Sequence, residues 1–179
     1  MPRDRYGFRP VTSDDLPMIA AWLAEPHVAQ WWGDPAASLA EIEEAIDDIA
    51  TEPLIVEMDN EPIGYLQSYD PHLEDAHPYQ DQPFGTLVVD LSLGSPDLVG
   101  KGHGSAILRQ FTDELFAEGA PRVIIDPDPA NLRAIRAYEK AGFIAFDTRT
   151  SIYGPALMMM RDAPETGADG WPTPMEGTQ

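Results

Sequence analysis

Asn131-Leu-Arg-Ala-Ile-Arg-Ala-Tyr-Glu-Lys-Ala-Gly-Phe143 is the stretch from which the rest of the chain is most readily read. Residues 131–141 read as a helix, and Gly142-Phe-Ile-Ala-Phe146 returns as a strand. Just upstream, Arg122-Val-Ile-Ile-Asp126 is an apolar run that does not alternate, the pattern of a strand covered on both faces. Before it, Gly102 to Glu118 places Ile107, Leu108, Phe111, Leu115 and Phe116 on one helical side. Phe84 to Leu93 reads as a strand and Ala156 to Arg161 as the last one. In the N-terminal half, Phe8 to Thr12 is a first strand ending at the N-cap cluster Ser13-Asp14-Asp15, followed by a helix over 16–23 that Pro26 ends. His27 to Gly33 is a short helix or turn. Ser38-Leu-Ala-Glu41 has the capping-box pattern for a helix with Leu39, Ile42, Ile46 and Ile49 as its apolar stripe. Leu54–Met58 and Pro62–Tyr69 flank a turn as a hairpin. Residues 70–83 are polar and aperiodic, a length of loop that is usually functional or disordered. Antiparallel strands first, then strand-helix-strand-helix-strand, indicate an α+β fold with a mixed, mostly antiparallel sheet flanked by helices.

The chain has 179 residues, 43% hydrophobic, so a core can form. Residues 1–162 are read as one domain, and 163–179, rich in Gly, Pro, Thr and acids, as an unfolded tail. With 31 acidic against 11 basic residues, the net charge is −20. Nucleic-acid binding, which draws its affinity from Lys and Arg on phosphates, is excluded as an expectation, and so is docking on an anionic membrane. No apolar run approaches the ~20 residues of a membrane helix, and the N-terminus lacks a signal-peptide stretch, so a cytoplasmic location is expected. There is no cysteine, which removes thiolate catalysis and Cys-ligated metal. His27, His72, His77 and His103 show no metal-ligand spacing, so no metal is expected. The charge is unevenly laid out. From Pro10 to Gly100 there is no Lys or Arg but nineteen carboxylates, whereas eight of the eleven bases fall between Lys101 and Arg161. Such a chain could hold two ligands of opposite charge, although a well-solvated surface accounts for most acidic surplus.

Val99-Gly-Lys-Gly-His-Gly-Ser105 joins a strand to a helix. Glycines admit close approach of a ligand, and first-turn N–H groups with the helix dipole favour an anion. It is neither a Walker motif nor a dinucleotide fingerprint, and alone it reads more readily as a plain tight turn than as a pyrophosphate site. Taken with Asn131–Phe143, however, the chain resembles the GCN5-related N-acetyltransferase (GNAT) superfamily, in which a Gly-x-Gly turn and an Asn-x-x-Ala-x-x-x-Tyr-Glu-Lys-x-Gly-Phe helix occur in this order. His27-Val-Ala-Gln-Trp-Trp-Gly33, Glu61-Pro-Ile-Gly-Tyr-Leu-Gln-Ser-Tyr69, Asp90-Leu-Ser-Leu93 and Asp126-Pro-Asp-Pro-Ala-Asn131 bring the likeness nearest to aminoglycoside 6′-N-acetyltransferases of the Ib type, over roughly 8–161.

The resemblance implies the GNAT fold, acetyl-CoA as cosubstrate and a polycationic aminoglycoside as acceptor, with direct attack in a ternary complex. It implies Asp90 as the proton acceptor and Tyr138 as the donor to the departing thiolate. A carboxylate inside the apolar run Leu87-Val-Val-Asp-Leu also needs a reason on physical grounds, though a turn-capping role is the plain alternative. Backbone N–H groups around Leu91 would polarise the thioester carbonyl, worth roughly 3 kcal/mol if well placed. Ser92 and Leu93 would pair with the pantetheine arm. Val99, Gly100, Lys101, Gly102, His103, Gly104 and Ser105 would hold the pyrophosphate. Asn131, Ala134 and Lys140 would line the cofactor groove. For the acceptor, the resemblance implies Asp126 and Asp75 as binding carboxylates, with Trp32, Gln67 and Tyr69 walling the sugar rings and Trp31 in the core; aromatic faces beside carboxylates suit an aminosugar. The sequence departs from the pattern at Val99, at Tyr153, where an acid is usual, and at His77-Pro-Tyr-Gln-Asp-Gln82, which replaces a Trp- and Glu-rich loop. Two other readings stand beside this one: a siderophore-pathway hydroxylysine N-acyltransferase, whose substrate carries less positive charge, and a non-catalytic module that binds CoA or aminoglycoside. Both a monomer and a homodimer are compatible with the sequence.

Overall fold

The computed structural model describes residues 5–151 and 154–164. Tyr153 and all but the first two residues of the expected tail lie outside the described residues. Seven strands form one sheet in the order β1-β2-β3-β4-β5-β7-β6. They are β1 Gly7–Pro10, β2 Thr51–Met58, β3 Glu61–Tyr69, β4 Leu87–Leu93, β5 Arg122–Ile125, β6 Ile144–Ser151 and β7 Gly154–Asp162. Every neighbouring pair is antiparallel except β4 and β5. A parallel pair needs a long crossover, and helix α4, His103–Ala117, supplies it. The other helices are α1 Leu16–Leu23, α2 Pro26–Trp32, α3 Pro35–Ala45 and α5 Leu132–Lys140.

Strand alternation explains why the central strands read as unbroken apolar runs. Val89, Val123, Ile125 and Met159 enter the core under α4 and α5, together with Ile107, Leu108 and Phe111. Their neighbours Val88, Ile124 and Met158 point to the opposite face, where Tyr79 covers them. A separate cluster seats Ile19, Leu23, Val28 and Ile42 of α1–α3 on Ile55 and Tyr65. The β2–β3 hairpin turns at Asp59 and Asn60, both left-handed at φ 53° and 66°, where Asp and Asn are the usual non-glycine occupants.

Several expected boundaries move: β6 runs Ile144–Ser151 rather than 142–146, and β2 begins at Thr51 rather than Leu54. Helix α3 begins at Pro35, not Ser38, because the Asp34 carboxylate accepts the Ala37 N–H at 3.0 Å. Ser38 lies buried inside the helix with its hydroxyl on the Trp32 carbonyl, and Ile49, expected in the stripe, is 91% exposed beyond the helix end. At the first helix, Thr12 is the cap of a short 3-10 turn over Ser13–Asp15, its N–H donating to Asp15 at 2.9 Å. Phe84 is exposed, three residues before β4 begins. Pro26 does end α1, and it also opens α2, where its missing N–H costs nothing. The 70–83 segment is ordered by two 3-10 turns, Pro71–Leu73 and Pro78–Asp81.

Candidate active site

β4 and β5 pair only at Leu87↔Val123 and Val88↔Ile124, although β4 continues to Leu93. Beyond that short ladder the strands part, and a cleft of about 1210 Å³ opens between them. Gly94 N–H bonds the Ile63 carbonyl at 2.8 Å, which sets the alternation along β4: Asp90 and Ser92 spend their backbone groups on β3, and Leu91 and Leu93 turn theirs to the open side. A ligand arm can therefore pair with Leu91 as an added strand would. The Leu93 carbonyl already accepts the His27 Nε2–H at 2.8 Å, from α2.

The glycine turn forms one end of the cleft. Gly100 and Gly102 hold φ of 79° and 87°, and a Cβ added at either would meet nothing within 4 Å. Val99, Gly100, Gly102, Gly104 and Ser105 line this end. Lys101 and His103 do not; Lys101 is exposed, and Nδ1 of His103 lies 2.9 Å from the Tyr6 hydroxyl. Opposite, Asn131 caps α5 by accepting the Ala134 N–H at 3.2 Å, and Ala134, Tyr138 and Lys140 line the cleft. Arg133 and Arg136 join them. These two were missed in the sequence, although their three-residue spacing on a helix is the signal that could have shown them.

The other end is acidic. Glu41, Glu44 and Asp48 line it from α3 and its C-terminal side, and Glu74 lines it from the 70–83 segment. Asp75 is exposed and absent from the lining; its neighbour Glu74 takes the place expected of it. Trp32 and Tyr69 face the cleft, Trp32 also packing edge-on to Tyr65 at 6.0 Å. Trp31, expected in the core, is 36% exposed and also lines the cleft.

Two carboxylates stand where the strands part. Asp90 lies opposite Gln67 in the β3–β4 register, and Gln67 Nε2 donates to it at 2.9 Å. Gln67 Oε1 accepts the Tyr65 hydroxyl at 2.7 Å, so the amide is fixed as a carboxylate donor as well as lining the cleft. Asp126 follows the last residue of β5 and accepts the Tyr79 hydroxyl at 2.7 Å. Burial pushes Asp90 up against the Gln67 bond, and Glu41 adds to the rise. Burial, then the nearby Asp90 charge, pushes Asp126 up to about 7. Among the described residues, no basic side chain is among the groups that shift either carboxylate. Burial followed by these two acids also raises Tyr69 and Tyr138, so both phenols stay protonated. An acid pair of this kind, half-buried in a cleft, is relieved by a cation brought in from outside. Tyr79 and His27 gave no legible signal, since each depends on a partner more than forty residues away.

Residues 11–150 match the family model described as an acetyltransferase (GNAT) domain. Aminoglycoside N(6′)-acetyltransferase type 1 of Klebsiella pneumoniae is 35% identical over 167 residues, covering 88% of this chain and 83% of that protein. The solved structure of AAC(6′)-Ib with paromomycin and acetyl-CoA superposes with a TM-score of 0.80 at 32% identity, covering 89% of this chain and 94% of that one. The same enzyme with coenzyme A and kanamycin gives 0.79 at 32% identity, covering 88% and 94%. Family match, sequence identity and fold agree, and the chain belongs to the GNAT acetyltransferase family.

Proposed function

We propose that the protein transfers the acetyl group of acetyl-CoA to a primary amine of an aminoglycoside, the 6′ amine, by direct attack. The observation that carries this reading is the acid pair Asp90 and Asp126, half-buried in the cleft where β4 parts from β5, with no basic side chain of the described residues among the groups that shift either. Similarity to the 6′-acetyltransferase of Klebsiella pneumoniae supports the acceptor class.

The residues divide the work by charge and position. Backbone N–H groups of the 99–105 turn, with Arg133, Arg136 and Lys140, face the phosphates of the cosubstrate. Leu91 presents its N–H toward the thioester carbonyl, where negative charge develops. Asp126 and the acidic rim draw in the polycation, and Trp31, Trp32 and Tyr69 contact its rings. An ammonium has no lone pair, so one of its protons passes to Asp90, directly or through water, before the nitrogen attacks. The tetrahedral intermediate then collapses, the C–S bond breaks, and Tyr138 gives its proton to the thiolate. The nitrogen, now an amide, sheds its second proton to the Tyr138 phenolate, and Asp90 releases the first to solvent.

Product analysis tests this. After incubation with acetyl-CoA and kanamycin, NMR of the product is expected to place the acetyl group on the 6′ nitrogen. Acetylation at another amine would overturn the regiochemistry, and unmodified kanamycin would overturn the proposal.

A further inference from the structure

Tyr79 stands in the aperiodic 70–83 segment, yet it is 5% exposed and packs with Val88, Ile124 and Met158. His77 meets its ring edge-on at 4.9 Å, and the Arg149 guanidinium of β6 covers it at 5.4 Å. Arg149 is itself held at several points. It pairs with Asp81 at 2.7 Å and with Asp147 at 2.9 Å, and it donates to the Pro78 carbonyl at 3.0 Å. The segment is thus fastened across the sheet to β6 through one guanidinium, and its best-buried side chain delivers a hydroxyl to Asp126.

A carboxylate facing another carboxylate in a poorly solvated cleft gains by rotating away from it. We infer that Tyr79 is a positioning residue of the acceptor site, holding the Asp126 carboxyl in one orientation toward the cleft, with Arg149 holding Tyr79. This rests on the reading of Asp126 as an anchor for the acceptor ammonium. Asp126 is faced by Asp90 from β4, Tyr69 from β3, Tyr138 from α5 and Tyr79 from the 70–83 segment, with Arg149 beyond the Tyr79 ring. Among these, the Tyr79 hydroxyl is the side-chain donor that favours the charged carboxylate, against burial and Asp90.

Tyr79→Phe keeps the ring and removes the donor. The kanamycin KM is expected to rise about tenfold, the size of a lost hydrogen bond to a charged group, with the acetyl-CoA KM unchanged. The acid limb of kcat/KM for kanamycin moves to higher pH. Carboxyl carbon-13 titration, with Asp126→Asn assigning the resonance, reads the same upward shift with no substrate present. An unmoved Asp126 midpoint in Tyr79→Phe overturns the positioning role, whatever the enzyme acetylates. A moved midpoint in a protein that leaves kanamycin unmodified upholds the positioning of Asp126 and overturns the acceptor assignment instead. Arg149→Gln keeps the phenol and removes the clamp; it is expected to raise the kanamycin KM in the same direction, and an unchanged KM removes Arg149 from the account.

Discussion

At Asp90 a carboxylate occupies the middle of a strand whose neighbours Val88 and Val89 are wholly buried, a costly place for a charge without a use. Asp90→Asn keeps the shape and the Gln67 contact region but cannot take a proton. Stopped-assay kinetics are expected to show kcat down by roughly 10²–10⁴ with CoA affinity unchanged; a wild-type kcat would remove Asp90 from proton transfer. Asp126 offers a second test, on stability. Its folded pKa of about 7 lies above the usual 3.8, so the folded state binds the extra proton and stability from this group falls as pH rises between those values. Asp126→Asn should therefore raise Tm at pH 8, by at most roughly 4 kcal/mol of stability, and give no gain near pH 4. The same variant should bind the acceptor poorly. A Tm gain of equal size at both pH values would contradict the raised pKa. Asp90 and Asp126 were singled out in the sequence through the family resemblance, supported by the oddity of an acid within or beside an apolar run. Their partners Gln67 and Tyr79 were not legible in these roles, because hydrogen bonds between segments leave no local pattern.

Among the elements, β4 carries the site and its end is gauged by α1. A Cβ on Gly94 would lie 2.4 Å from the Trp22 indole, so the strand can leave the sheet there only as glycine. Gly94→Ala is expected to lose about 1–3 kcal/mol in urea unfolding, and a neutral result would mean that Trp22 yields freely. From Asp90 onward the elements were read in their right order, since their apolar periodicity reflects one or two buried faces, but β6, read over 142–146, runs through a polar half to Ser151. The N-terminal helices were read less well. Asp34 outcompeted Ser38 as a cap, and the chain turned out of helix before Ile46 and Ile49, whose apolar spacing alone suggested continuation. Trp31 and Trp32 show the same limit: adjacent aromatics on a seven-residue helix do not reveal which one the core takes.

Across the molecule, the charge layout seen in the sequence becomes a division of one cleft. Glu41, Glu44, Asp48 and Glu74 stand at the end proposed for the acceptor, and Arg133, Arg136 and Lys140 along α5, proposed for the cosubstrate. Salt should weaken long-range attraction of a polycation as the Debye length falls from about 30 Å at 0.01 M to about 10 Å at 0.1 M. Over that range the KM for kanamycin is expected to rise severalfold, and an unchanged KM would mean that the acidic rim plays no part in capture. Acceptor class remains the central claim, and one measurement addresses it most directly: release of free thiol from acetyl-CoA with kanamycin, tobramycin, gentamicin and a lysine derivative as competing acceptors. The account predicts turnover with the aminoglycosides, at a kcat/KM far above that for the lysine derivative. Turnover with the lysine derivative and none with any aminoglycoside would contradict it.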